Sequence, residues 1–265
     1  MSKFIVDTVL GGLRACETID LSKDVNLHRP ESPFRTRMEV LEAKPGAVFF
    51  AEKMMPSHFP EGAGKIKPEA FPDSAFLRHE MLTISTHAGS HVDAPGHYGG
   101  PLVDSSFIDA APLSEFIAPG FYLDGTHVEG DEVRWEHVKP QLEEYGIGDV
   151  KGHIALIRIG HHRAVGVDVV EKLYDAGVRV MGTDHDSFDG PFDRMLRIYL
   201  KTNDSSVLWP CHMLGRKKPY YQLENLMNIE KLPRKGFLVM ALPILVGGAT
   251  ASWSRVVAFV PKANR

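Results

Sequence analysis

His153-Ile154-Ala155-Leu156-Ile157-Arg158-Ile159, followed by Val167 to Ala176, Gly177 and then Val178-Arg179-Val180-Met181-Gly182, is the stretch that decides the fold. Its first segment is a short, nearly unbroken apolar run, as in a strand buried on both faces. Val167 to Ala176 spaces its apolar residues at helical intervals, and Gly177 stands where a helix stops. A second apolar run follows at once. Short apolar runs alternating with helical patterns argue for an α/β domain with a mixed or largely parallel sheet flanked by helices.

Working outward, Phe237 to Leu242, introduced by Lys235-Gly236, and Val256 to Val260 continue the sheet toward the C-terminus. Upstream, Met81-Leu82-Thr83-Ile84-Ser85 predicts a strand that feeds the following loop directly. Between Glu31 and Ala75 the pattern fades, interrupted by Pro45, Pro56, Pro60, Pro68 and Pro72 with Gly62 and Gly64 between them. That segment reads as a long loop or an insertion. Its Met54, Met55, Phe59, Phe71 and Phe76 are candidates for lining a pocket or for anchoring the segment to a core. At 265 residues and 43% hydrophobic, the chain reads as one domain, residues 1–265, with a loop-rich insertion around 31–75.

Charge and cysteine content exclude several function classes. Thirty basic against 34 acidic residues give a formal charge of -4, with no Lys/Arg run to follow a nucleic-acid backbone, so neither nucleic acid nor a membrane is an expected partner. Cys16 and Cys211 are too few for a disulfide framework or a cysteine-ligated zinc site, which fits a reducing cytoplasm. The apolar stretch Val6 to Ala15 is broken by Gly11, Gly12 and Arg14, unlike a secretory leader, and no segment approaches the ~20 apolar residues of a membrane span. No Gly-x-Ser-x-Gly elbow or clear thiolate nucleophile is present.

The chemistry concentrates in Thr86-His87-Ala88-Gly89-Ser90-His91-Val92-Asp93-Ala94-Pro95-Gly96-His97. Histidine and carboxylate suit zinc, manganese or iron(II), and three protein ligands with one open position are the usual layout of a catalytic metal. His87, His91, Asp93 and His97 share odd parity, so an extended chain would turn them to one face. Six residues of straight strand would nonetheless part His87 from Asp93 by roughly 20 Å, whereas ligands each sit about 2 Å from the ion. The chain must therefore curl, which Gly89, Pro95 and Gly96 permit, while Gly89, Ser90, Val92 and Pro95 disfavour a helix.

This loop resembles the His-x-Gly-Thr-His-x-Asp-x-Pro-x-His signature of the metal-dependent cyclase-family hydrolases, which include kynurenine formamidases, isatin hydrolases and trans-dienelactone hydrolases. Ser90 replaces the usual threonine and keeps its hydroxyl. Ile19-Asp20-Leu21-Ser22, Gly182-Thr183-Asp184 with Ser187 and Asp189, and His212 followed by Leu223-Glu224-Asn225-Leu226 resemble further family elements in the same order.

The resemblance implies a swivelling β/β/α type of fold. It implies that His87, His91 and Asp93 bind the metal and that His97 is the acid/base group beside it, with His212 and Glu224 completing the catalytic set. In two-metal members the equivalents of His212 and Glu224 bind a second ion that the aspartate bridges, so one or two ions, Mn2+ or Zn2+, remain open. The expected reaction is metal-assisted hydrolysis of an amide or ester bond in a small cyclic or aromatic carbonyl compound, a lactam such as isatin or a lactone from aromatic ring cleavage. The alternatives are an N-formyl aromatic amide hydrolase, as in the formamidases, and a metal-binding protein without turnover. Family likeness also implies a homodimer or higher homo-oligomer. Trp209, Tyr220, Tyr221 and Trp253 are candidates for aromatic walls or for core packing. His161, His162 and His185 carry no family role.

Overall fold

A computed structural model of the chain describes residues 2–25, 36–101, 104–160 and 162–262. The helices are α1 (Ser2–Arg14), α2 (Ala43–Phe49), α3 (Met55–His58), α4 (Trp135–Glu144), α5 (Val167–Asp175), α6 (Phe192–Thr202) and α7 (Pro210–Gly215). The strands are β1 (Cys16–Asp20), β2 (Arg37–Leu41), β3 (His79–Thr83), β4 (His91–Asp93), β5 (Ile117–Asp124), β6 (Glu132–Val133), β7 (Ile154–Arg158), β8 (Ala164–Val165), β9 (Val180–Thr183), β10 (Tyr221–Glu224), β11 (Lys235–Met240), β12 (Ala251–Trp253) and β13 (Val257–Pro261). They fall into two compact units, one of Met1–Val25 with Thr86–Arg265 and one of Asn26–Ser85.

The first unit is built on a nine-stranded mixed sheet in the order β1-β13-β11-β5-β7-β9-β10-β4-β12. Its centre, β5, β7, β9 and β10, is parallel, and antiparallel strands extend it on both sides. The expected mixed sheet flanked by helices is thus present. The deciding stretch folds as read, with β7, α5 and β9 forming a parallel crossover. Gly177, at φ +96°, lets the Val178 N–H donate back to the Leu173 carbonyl at 3.0 Å and so ends α5 where the sequence places it.

One face of this sheet carries a core that includes Tyr122, Leu156, Val180, Leu223 and Val92. The opposite face carries Phe121, Leu123, Ala155, Ile157 and Met181, packed with Val138 of α4, Val169 and Leu173 of α5 and Cys211 of α7. Because β7 contributes Ile154 and Leu156 to one core and Ala155 and Ile157 to the other, its sequence shows a run rather than an alternation. The N-terminal apolar stretch forms α1, continuous through Gly11 and Gly12, and its Phe4, Ile5, Val9 and Leu10 are exposed.

The second unit corrects two expectations. Much of the proline-interrupted segment is helical: α2 passes through a π-helical turn, Phe50–Met54, into α3. Pro56 has no N–H for a regular helical bond, and the Met55 N–H reaches five residues back to Phe50 instead, so the prolines reshape the helix without ending it. Phe71 and Phe76 stack around Phe50, with ring centroids 5.4 and 4.6 Å from it, which makes them packing residues. A groove of about 730 Å³ in this unit is lined by Val48, Phe49 and Glu52 among others, and by none of the five expected residues.

The strand expected at Met81 to Ser85 is β3, two residues earlier. It pairs with β2 in a two-stranded ribbon rather than joining the large sheet, and all five of its residues are exposed. The adjacent apolar pair Met81-Leu82 points to opposite faces of that ribbon, a pattern that sequence cannot tell from a buried strand. Among the described residues no helix is long and apolar enough to cross a membrane.

Candidate metal centre

The signature loop combines three local structures, each traceable to its sequence. Residues 86–90 form turns, with Gly89 at φ +65° and only 2.9 Å between the position of an added Cβ and the Asp24 carbonyl oxygen. Only glycine fits there. His91, Val92 and Asp93 then form β4 between β10 and β12, and Pro95–Tyr98 turn as a 3-10 helix that carries His97. The chain is therefore extended for three residues and curled on both sides of them. His91 and Asp93 share one face of β4 by parity, as expected, while Val92 points into the apolar core behind.

Register brings in the remaining groups. Glu224 stands opposite His91, and Gln222 opposite Asp93, on the neighbouring strand β10. His87 Nδ1 lies 2.9 Å from Asp93 Oδ1, His91 Nε2 lies 3.3 Å from the same oxygen and 3.4 Å from Glu224 Oε2, and the two histidine nitrogens are 3.3 Å apart. Atoms each about 2.1 Å from one ion stand roughly 3.0–3.4 Å from one another in tetrahedral or octahedral geometry. His87, Asp93 and His97 form one group with metal-ligating spacing; His91, Asp93 and Glu224 form another. His97 is the most distant member, its Nε2 3.9 Å from Asp93 Oδ2.

The buried polar atoms fit a divalent ion. Asp93 Oδ1 and Oδ2, Glu224 Oε1, Thr183 Oγ1 and Gln222 Oε1 are buried and accept no aligned hydrogen bond among the described residues. Two imidazole nitrogens, His87 Nδ1 and His91 Nε2, crowd the same oxygen of Asp93 at 2.9 and 3.3 Å. A buried carboxylate left in that condition is costly, and a cation between nitrogen and oxygen donors is the group that would satisfy it. The Nδ1–H of His91 donates to the Gly89 carbonyl at 3.0 Å, which leaves Nε2 as the lone-pair nitrogen facing Asp93 and Glu224.

The electrostatics are those of crowded ligands. Burial opposes a charge on His91, but Asp93 and Glu224 outweigh it and hold its pKa well above the ordinary histidine value. Burial likewise opposes the Asp93 charge, and His91 and His87 override it, taking its pKa well below the ordinary range. Burial, reinforced by Asp93, raises Glu224. Burial lowers His97 to about 4 against the pull of Asp93, so its ring is neutral at physiological pH.

His212, on α7, has its ring centroid 5.5 Å from that of His97. Its Nδ1 is held by Asp189 Oδ2 at 2.5 Å, and Asp189, 1% exposed, also accepts from the Cys211 N–H at 2.6 Å. Burial opposes a charge on His212, but Asp189 raises its pKa to about 9. All six residues assigned from sequence are thus gathered, with His212 against His97 rather than inside either three-residue group. The sequence named Thr183 and Asp189 without partners and missed Gln222, because its place follows from cross-strand register. His185 is buried, with Nδ1 2.9 Å from Asp186 Oδ1, and its carbonyl accepts from the Asn225 N–H at 2.8 Å; His162 is exposed, and His161 lies outside the described residues.

Ser90 shows why a hydroxyl is needed in the signature. Its Oγ accepts from the Lys23 N–H and donates to the Asn225 carbonyl, each at 2.7 Å, tying the loop to the N-terminal segment and to the end of β10. Ser90→Ala removes both hydrogen bonds and should lower unfolding free energy by about 1–3 kcal/mol, read from denaturant midpoints. Ser90→Thr, which keeps the hydroxyl, should lose much less; equal losses would remove the hydrogen bonds as the cause.

The chain belongs to the Cyclase family, whose model it matches over residues 19–190. It is 30% identical over 188 residues to the kynurenine formamidase of Paracidovorax citrulli, covering 68% of this chain and 79% of that protein. It is 23% identical over 245 residues to the isatin hydrolase of Roseibium aggregatum, covering 79% of this chain and 86% of that one. Among solved structures, isatin hydrolase A from Labrenzia aggregata, bound to benzyl benzoate, superposes with a TM-score of 0.71 at 21% identity, covering 97% of this chain and all of that one. These relatives are hydrolases, and the chain is an enzyme of that broad kind.

Proposed function

We propose that the chain is a metal-dependent hydrolase that adds water across an amide or ester bond of a small cyclic or aromatic carbonyl compound, with a lactam such as isatin or a lactone from aromatic ring cleavage as the favoured substrate. The observation that carries this reading is the convergence of His87, His91, Asp93 and Glu224 around buried carboxylate oxygens that lack aligned donors. In this proposal His87, His91 and Asp93 hold the ion. A bound Mn2+ or Zn2+ supplies Lewis acidity toward a carbonyl oxygen and toward water beside it.

His97 Nε2 accepts a proton from the water whose oxygen bonds to the carbonyl carbon. It returns that proton to the nitrogen or oxygen released as the C–N or C–O bond breaks, so a cyclic substrate opens to one product that carries both a carboxylic acid and an amine or hydroxyl group, and an acyclic amide gives a separate acid and amine. Glu224, with His91 and Asp93, either completes a second ion site or shares the proton transfer with His212, whose ring Asp189 orients. The isatin hydrolase relative supports the lactam branch; the formamidase relative supports a second reading, hydrolysis of an N-formyl aromatic amide. The proposal includes association of two or more copies, which the exposed apolar side chains of α1 support.

Elemental analysis of the purified protein, paired with hydrolysis assays on isatin, N-formylkynurenine and a dienelactone with and without chelator, tests the reading. A stoichiometric divalent ion and chelator-sensitive turnover of one compound are expected, and the metal count decides between one and two sites. Activity indifferent to chelator would overturn the metal-dependent mechanism, and bound metal without turnover would leave only a metal-binding protein.

A further inference from the structure

The register that gathers the ligands also sets an apolar wall beside them. Glu224 on β10 and Trp253 on β12 both stand directly opposite His91. The bridge between Pro243 and Ser254 continues the antiparallel pairing, so Ile244 falls opposite Trp253, and the Ile244 N–H donates to the Trp253 carbonyl at 3.0 Å. Residues directly opposite in antiparallel strands share a face, with Cβ atoms about 5 Å apart. Glu224, His91, Trp253 and Ile244 therefore form one row on the ligand-bearing face.

Exposure changes along this row. Glu224 and His91 are 4% and 1% exposed, Trp253 is half-buried, and Ile244 is 53% exposed. Among the described residues Trp253 is not a member of either apolar core, whereas two of the other aromatic candidates, Tyr220 and Tyr221, are core residues. Trp209 packs its ring against Phe192 of α6, 5.4 Å between centroids. Of the four aromatic candidates, Trp253 alone stands in the row with a metal-site residue.

We propose that Trp253, extended outward by Ile244, is the specificity wall of the site: it takes the flat ring of a planar aromatic carbonyl compound while the carbonyl group lies toward His87 and Asp93. This inference rests on the hydrolase reading for its substrate, but the wall makes a separate prediction about binding. An aromatic ring stacked on indole gains burial and ring–ring contact that a short aliphatic group does not.

The test compares the metal-loaded wild type with Trp253→Ala, Trp253→Phe and Ile244→Ala. Calorimetric titration with benzoate and acetate, two carboxylates that differ in the ring and are not hydrolysed, reads the wall without turnover; kcat and KM on isatin read it in catalysis. The wild type is expected to prefer benzoate by about 10-fold or more. Trp253→Ala is expected to abolish that preference and lower kcat/KM on isatin about 10–100-fold, mainly through KM, with metal content unchanged. Trp253→Phe is expected to retain most of the preference and Ile244→Ala part of it. No benzoate preference in the wild type, or the same preference in Trp253→Ala and Trp253→Phe, would overturn the wall. A preference that depends on Trp253 in a protein that hydrolyses none of the test compounds would uphold the wall and overturn the hydrolase reading, and isatin turnover indifferent to Trp253 would do the reverse.

Discussion

Asp93→Ala is expected to weaken divalent-metal binding by more than about 100-fold and to remove nearly all turnover. Outer partners of metal ligands already cost about 10–100-fold when removed, and Asp93 is more central than an outer partner. It is fully buried, both of its oxygens lack aligned donors, and it belongs to both groups with metal-ligating spacing. The same geometry predicts a second effect, on stability. Without metal, His91 and His87 more than offset the burial of the Asp93 charge and hold its pKa well below the ordinary range, so near neutral pH the carboxylate contributes to the stability of the metal-free protein. In chelator near neutral pH, Asp93→Ala should therefore unfold at a lower denaturant concentration than the wild type, and saturating metal should widen that gap by stabilising the wild type more than the variant. Elemental analysis with paired denaturation curves reads both results. Unchanged metal stoichiometry in the variant would remove Asp93 from the ligand set.

His97→Ala is expected to keep its metal and to lose about 100-fold or more in kcat, the scale of a positioned general acid–base group. Its Nε2 stands farther from Asp93 than either His87 Nδ1 or His91 Nε2, at 3.9 Å against 2.9 and 3.3 Å, and its side chain, like that of His87, is 32% exposed where His91 is 1% exposed. A group at the rim of the cluster, neutral and within reach of solvent, suits proton transfer better than structural ligation. Metal analysis of the variant separates the roles. Retained metal with depressed kcat fits the acid/base role, whereas loss of metal would place His97 among the ligands with His87 and Asp93. Full activity would exclude both.

The candidate site was largely legible because its residues are local: four of the six assigned fall within eleven residues, and parity alone put His91 and Asp93 on one face of β4. The crossover of β7, α5 and β9 was legible for a similar reason, since a two-faced buried strand, an amphipathic helix and a glycine stop are each written within a few residues. What could not be read is cross-strand register. Nothing in the local sequence around Trp253 says that it faces His91, or around Gln222 that it faces Asp93, because those neighbours are paired only after the sheet assembles. The second unit was misread for another reason: Pro45 and Pro56 look like helix breakers, but one lies in the first turn of α2 and the other is accommodated by a π-helical turn.

The strict alternation of β4 has a consequence for how this protein can diversify. Val92 lies in the apolar core while His91 and Asp93 face the opposite way, and the neighbouring strand β10 repeats that alternation with Leu223 between Gln222 and Glu224. Inserting or deleting a single residue within β4 would exchange the two sides, driving a carboxylate or an imidazole into hydrocarbon and a valine into the reaction space. Change in length is therefore confined to the segments beyond the strand ends, such as the Pro243–Leu245 stretch beside Trp253. Descendants of this chain can explore new substrates there by trading loops, while the three residues of β4 admit replacement but not renumbering.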